Sequence, residues 1–387
     1  MKKYLIIQLF CLSAVGLLLV SACKKNTVVP PPSSDSTHVV KPNVTVTTIA
    51  GKVGDHGNGE DGNGVAARFW NPTKMVFDPR NNMLYVADGT VIRSIDQQNN
   101  VATYMPLHAI SNFNEIMDID LAPGTAGGTL YFISKENDIW KIEPGGDGII
   151  KTKIIDRIYG GNEVGALNAA DQIDGPTGIT TGPNGTIYFF NSFWNSMHSI
   201  NINSFNPLTG SVAFFAGKAT ETRNGNAWPF ADGAGNAASF GGSVSDIASD
   251  AGGNMYVADF RNDLVRMVTP SGMVSSLFQY KDGWGIDKDG PVSLAQANRV
   301  TNVSATGDGR MVFFATYGDG GNYLPVLRMV RPGKDVVTLT NTRATYGDGT
   351  GSSAGFSTIG GIAATTDGKT VFVAEPYKKV IRKVTIQ

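Results

Sequence analysis

Apolar residues in this chain come in runs of about six, bounded by Gly, Pro, Asn and Asp, and one kind of run recurs. It appears as MLYVAD (83–88), TLYFIS (129–134), TIYFFN (186–191), NMYVAD (254–259), MVFFAT (311–316) and TVFVAE (370–375). Its aromatic anchors, Tyr85, Tyr131, Tyr188, Tyr256, Phe313 and Phe372, lie 46, 57, 68, 57 and 59 residues apart. Repeats of that length belong to propellers and arrays. Each anchor run follows a second short run (KMVFDP, 74–79, in the first repeat) and precedes a third (VIRSID, 91–96). A fourth set contains VTTIAG (46–51), VATYMP (101–106) and VVTLTN (336–341). All are rich in β-branched and aromatic residues, so they predict strands; no stretch after the N-terminal region carries a helical period.

Four strands in each of six repeats predict an all-β fold, a six-bladed β-propeller, with strands a to d running outward from the axis. VTTIAG has the character of a d strand with no a, b or c before it, whereas the chain ends at Gln387 just after a c strand. The N-terminal strand is therefore expected to complete the last blade, which also removes two exposed sheet edges.

The segment TIAGKVGDHGNGEDGNGVAARFWNPTKMVFDPRNNMLYVADGTVIRSID (48–96) resembles an NHL repeat. Residues 216–268 repeat it with AGK, ADGAGNAASF, NMYVAD and VRMV, and the last repeat keeps YGDGTGSSAGF and VFVAEPYKKVIRKV. Repeats two, three and five keep the strands and lose most of the Gly/Ala-rich signature. The resemblance covers 44–387 and implies the fold. It leaves function open, since NHL propellers serve as scaffolds, binders and enzymes.

The N-terminus resembles a bacterial lipoprotein signal. Lys2 and Lys3 precede an apolar run from Tyr4 to Val20, and Val20-Ser21-Ala22-Cys23 follows as a lipobox. The resemblance implies a signal peptide at 1–22 and lipidation of Cys23, with membrane attachment through lipid; an ordinary cleaved signal is the alternative. Residues 23–43 are Pro/Ser/Thr-rich and read as an extended tether to a propeller at 44–387. The expected location is the cell envelope, lipid-anchored at the outer membrane. Cys11 would leave with the signal, so the mature chain would hold neither a free thiol nor a disulfide.

Formal charge is −1, becoming −3 once Lys2 and Lys3 are removed, and no Lys/Arg-rich stripe is visible. Nucleic acid is therefore not an expected partner. Because strands in a blade alternate in direction, the d-to-a and b-to-c connections share one face. That face carries the long loops, where binding usually resides. Trp70, Trp194, Trp228, Trp284, Tyr317 and Tyr346 fall in or near them and are the candidate contacts for a glycan or a protein partner, with Tyr377 a further aromatic. Packing of each Trp against the blade ends is the alternative.

Asp61, Asp174, Asp232, Asp282, Asp289 and Asp348 each precede Gly in these loops. Asp282, Asp287 and Asp289 in DGWGIDKDG (282–290) form the densest cluster and are the candidate ligands for calcium or another divalent cation, although Asp-Gly is also the commonest turn pair. No cofactor is otherwise expected. His198 occupies the c-strand place held elsewhere by Arg93, Trp140, Arg266, Arg328 and Arg382, which marks it as structural. No Ser/His/Asp arrangement can be assembled, and a non-catalytic binding module is the leading expectation. The alternative is a hydrolase resembling the gluconolactonases, whose axial metal would fall to Asn114, Glu115, Asn191 and Asp259.

If Cys23 carries lipid, Cys23→Ser releases the protein from the membrane fraction or leaves the precursor uncleaved; fractionation and mass measurement of the product decide it, and unchanged attachment and processing count against the lipobox.

Overall fold

The protein is described here as a computed structural model. It describes residues 39–387 apart from 56, 58, 107–114, 125–127, 137, 146–147, 156–175, 193–199, 218–229, 242–243, 281–285, 318–323 and 341–345. Cys23, Trp194, Trp228, Trp284, Asp282, Asn114, Asp174 and all four histidines lie outside the described residues, as does the side chain of Asn191.

Six antiparallel sheets form a six-bladed β-propeller. In blade one the a, b, c and d strands are Pro72–Asp78, Met83–Asp88, Val91–Ile95 and Asn100–Pro106. The anchor runs are b strands, and most of their residues are buried on both faces; Leu84 to Asp88 all are. Successive side chains of a strand point to opposite sides. Tyr85 therefore packs in the cluster shared with blade two, and Val86 in the cluster shared with blade six. Each blade is thus covered by two others, which explains why these strands read as continuous apolar runs rather than alternating ones. One apolar cluster fills each of the six junctions between neighbouring blades.

Ring closure follows the expected permutation. Val44–Gly51 is the d strand of blade six and pairs antiparallel with Val380–Ile386, from Val44 opposite Ile386 to Gly51 opposite Val380, with a bulge after Thr48. Val44, Val46 and Ala50 are buried by this pairing. The contact begins before the strand does. Val39 packs on the cluster between blades five and six, and Lys41 Nζ lies 2.6 Å from Asp289 Oδ2, so the end of the proposed tether already rests on the propeller.

One sequence expectation is corrected. The c strand of blade three is Ile200–Asn206, not 196–201, and Phe189 of its b strand faces Asn203. The same pairing joins Val86 to Arg93, Phe132 to Trp140, Val257 to Arg266, Phe314 to Arg328 and Val373 to Arg382. Asn203, rather than His198, therefore holds the repeated place. The b-to-c connection here is longer than in blades one, two, four and six, and SMHSIN (196–201), which overlaps its end, has the apolar spacing of a c strand, so strand patterning selects the earlier match.

Blades one, four, five and six carry a fifth, two-residue outer strand: Gly62–Asn63, Gly233–Ala234, Gly290–Pro291 and Gly349–Thr350. In three of them a 3-10 turn follows, begun by Gly64, Gly235 or Gly351 at φ 53, 52 or 55°. Positive φ is the reason for glycine there.

Removing residues 24–51 from the mature chain should abolish folding or lower the melting temperature by on the order of 10 °C, since burial of two Val side chains alone contributes about 1.5–3 kcal/mol each. Removing 24–38 should leave the melting temperature unchanged. Thermal melts of both truncations beside the mature chain make the comparison.

Candidate functional site

The long-loop face is held together by one device used four times. Arg266, in the middle of a c strand, is fully buried; its Nη1 donates to Asp259 Oδ2 (3.1 Å) and Nη2 to Asp232 Oδ1 (2.7 Å). Arg93 spans Asp88 and Asp61 in the same way, and Arg382 spans Glu375 and Asp348. The first acid of each pair ends the b strand and the second begins the loop strand, so each guanidinium ties a long loop to its blade. The apolar member of the Gly/Ala-rich signature completes the clamp, with Phe69, Phe240 and Phe356 beneath the guanidinium planes at 5.6, 5.4 and 5.6 Å.

Blade five explains the acidic cluster. Its b strand ends on Thr316 and Tyr317, with no carboxylate, and the missing acid comes from the loop. Asp287 accepts from Arg328 (2.9 Å), Thr316 (2.7 Å) and the Asn298 N–H (3.0 Å), while Asp289 accepts from Arg328 (2.9 Å) and Thr338 (2.7 Å). Two of the three candidate calcium ligands are therefore the acids of an arginine clamp. Asp61, Asp232 and Asp348 have the same employment, and among the described residues no group of three or more His, Cys, Asp or Glu side chains is arranged to hold a metal ion. Burial pushes the Asp259 carboxyl up, and Arg266, Asn262 and the Gly241 N–H oppose that shift.

The strand-end acids also aim the loops. Asp88 Oδ1 accepts from the backbone N–H groups of Trp70 (2.8 Å) and Asn71 (2.6 Å). The Trp70 side chain is 57% exposed, with Lys379 Nζ 5.4 Å from its ring centre. Tyr377, two residues away from Lys379, is 82% exposed, and Tyr317 is 37% exposed on blade five. Tyr346 differs from these, being held between Lys378 and Arg382. Trp70, Tyr377 and Tyr317 are thus available to a ligand, whereas Tyr346 serves the clamp of blade six. Of the axial residues named for a lactonase-type metal, Asp259 is clamped, and Glu115 receives Asn71 and Lys135, each at 3.2 Å.

A second feature lies on the axis. In the a strands Met75, Ile119, Ile179, Ile247, Val303 and Ile362 hold equivalent places opposite the b strands, and the residues just before them, Lys74, Asp118, Gly178, Asp246, Asn302 and Gly361, share one level. Lys74 reaches from blade one to the opposite blade four, where its Nζ lies 2.5 Å from Asp246 Oδ1 and 3.4 Å from the Ser245 carbonyl. Asp246 Oδ2 in turn accepts the Val303 N–H at 2.9 Å. Asp118 accepts the N–H groups of Ile119 and Ile179, at 2.9 and 2.8 Å. This level closes the channel. Between it and the short turns lies a cavity of about 350 Å³ lined by inner-strand residues and by Pro123, Pro183, Ala251, Gly307 and Thr366 of the turns. The cluster escaped sequence reasoning because its members lie in different repeats; superposing the a strands column by column would have shown three charged residues in one axial place.

No protein-family model matches the chain, and no curated protein matches it. Its fold is shared with solved structures. A Bacteroides thetaiotaomicron protein of unknown function superposes with a TM-score of 0.62 at 20% identity, over 89% of this chain and 76% of that one. An auxiliary nutrient binding protein from the same organism gives 0.60 at 16% identity, over 90% and 77%. One from Bacteroides ovatus gives 0.58 at 17%, over 90% and 78%. At these identities the likeness is one of fold.

Burial pushes the Asp120 carboxyl up to about 6 against hydrogen bonds from Leu121, Thr181 and Thr180. A carboxyl with a raised folded-state pKa binds its proton more tightly when folded. Its contribution to stability is therefore full below the ordinary carboxylate range near 4 and is lost as pH rises through about 6. Asp120→Asn should remove that part of the loss, seen as a smaller fall in urea midpoint between those pH values than in the parent chain.

Proposed function

We propose that this chain is a lipid-anchored binding module of the cell envelope that takes a glycan on its long-loop face and performs no chemistry on it. One observation carries the reading: exposed aromatic side chains, Trp70 above all, stand on loops whose backbone is fixed by buried acid and arginine. A rigid ring face offered to solvent is the surface on which a sugar stacks, and prior ordering reduces the entropy lost on binding. The flanking Lys378 and Lys379 and the Asn/Asp content of the loops supply donors and acceptors for hydroxyls.

Three further facts support it. The lipobox-like segment ending on Cys23 supports attachment to a membrane through lipid. Nutrient-binding proteins of Bacteroides share the fold. The carboxylates that a lactonase-type metal would need are engaged by protein donors where they are described. Calcium at the loop of 282–290 would have to displace Arg328 from Asp287 and Asp289, so the reading adopted needs no metal.

A glycan array with the mature protein tests the proposal, followed by titration of the best glycan. Trp70→Ala should weaken binding at least about tenfold, on the order of 1.4 kcal/mol, while Asn184→Ala on the opposite face leaves it unchanged. Binding lost in Asn184→Ala and kept in a folded Trp70→Ala variant assigns the other face. An array without hits, beside a protein captured specifically and released by Trp70→Ala, replaces the glycan by a protein partner.

A further inference from the structure

The axial cavity is a different place from the long-loop face, and nothing in the reading above depends on it. Its floor is built rather than left over. Lys74 is drawn across the axis and fixed by Asp246 and Ser245. Gly361 lets blade six close against blade one, since a Cβ there would lie 2.2 Å from the Thr73 carbonyl oxygen. A Cβ at Gly178 would lie 3.2 and 3.6 Å from the Ile247 and Asp118 side chains. The channel therefore ends in a wall and opens on the short-turn side, between turns that include the exposed Pro183, Ala251 and Thr366.

Apolar and acidic groups share the lining. Val76, Leu121, Ala248, Ala305 and Ala364 are among the inner-strand residues. Against them stand Asp118 and Asp120 of blade two, and the described hydrogen bonds to both come from neutral groups: backbone N–H groups and the Thr180 and Thr181 hydroxyls. Among the described lining residues the one ammonium, Lys74, is paired directly with Asp246 and also attracts Asp118, so three desolvated carboxyls share a single cation. Desolvated carboxyls favour either a proton or a positively charged partner.

We propose that this blind axial funnel binds a small organic cation, an ammonium carried on an apolar body, with the ammonium at Asp118 and Asp120 and the body against the aliphatic walls. A cavity of about 350 Å³ is at the lower end of the range for small-molecule sites, which fixes the scale of the ligand. Lys74 acts as the stop and as the counter-charge that keeps Asp246 out of the contest. Binding is linked to protons, because the ammonium takes the place of protons on carboxyls whose affinity for them burial has raised. The groups facing these two carboxyls are Lys74, Asp246 and the threonine hydroxyls.

Calorimetry of the mature chain with n-hexylamine, n-hexanol and hexanoate tests this. Hexylamine should bind one per chain, at least about tenfold more tightly than the alcohol or the acid, and more tightly at pH 8 than at pH 5. Asp118→Asn with Asp120→Asn should abolish the preference for the amine. Ala248→Phe should abolish binding by filling the funnel and leaving every carboxyl in place, which keeps the test valid if the Asn variant does not fold. Trp70→Ala should have no effect, and loss of amine binding in that variant would place the site on the other face. Equal affinity for hexanol reduces the funnel to an apolar hole, preference for hexanoate makes Lys74 the recognising group, and no binding by any of the three in the folded parent chain overturns the proposal.

Discussion

A guanidinium buried in the middle of a β-sheet is tolerated only where its charge is answered, and in this propeller that requirement organises the long-loop face. Arg93, Arg266, Arg328 and Arg382 are fully buried, each between two acids, one from its own blade and one from the loop that leads into it, or both from the loop in blade five. Removing one partner would leave an uncompensated buried charge, at about 3–5 kcal/mol. The loop is thereby tied to the sheet, its acid fixes the start of the fifth strand, and the buried phenyl ring fills the space beside the guanidinium. Blades two and three have Trp140 and Asn203 in place of arginine and lose most of the Gly/Ala-rich signature. Blade five keeps the clamp with both acids drawn from its loop, so the device tolerates a change in where its carboxylates come from.

Much of the architecture was legible for a simple reason. Burial on both faces makes each b strand a continuous apolar run, and repetition turns six weak signals into one strong one. The permuted closure could be read from strand character alone. Registration in blade three could not, because SMHSIN, just after a long b-to-c connection, imitates the pattern of a c strand.

The functional residues were harder to read. Asp-Gly pairs have two meanings in a sequence, a cation site or a turn, and the third meaning found here, an arginine clamp, requires knowing which residue lies across the sheet. Asp287, in the acidic cluster, was a candidate cation ligand, and it stands in for the carboxylate that Thr316 does not supply. Of the aromatic candidates, Trp70 and Tyr317 are exposed, whereas the Tyr346 ring lies against Lys378 and Arg382. Lys74, Asp118 and Asp246 went unnoticed, since residues 44 and 128 positions apart become neighbours only through a six-fold ring.

The closing strand sets an order of events. Val44–Gly51 finds its partner in Val380–Ile386, so the strand made first is among the last to be paired. Until the C-terminal strand arrives, Val44, Val46 and Ala50 remain uncovered. A chain interrupted anywhere before that point has two open sheet edges instead of none. Closure of the ring is thus a physical state of the fold, and a protease that attacks unpaired strands would distinguish closed molecules from open ones without reading any sequence.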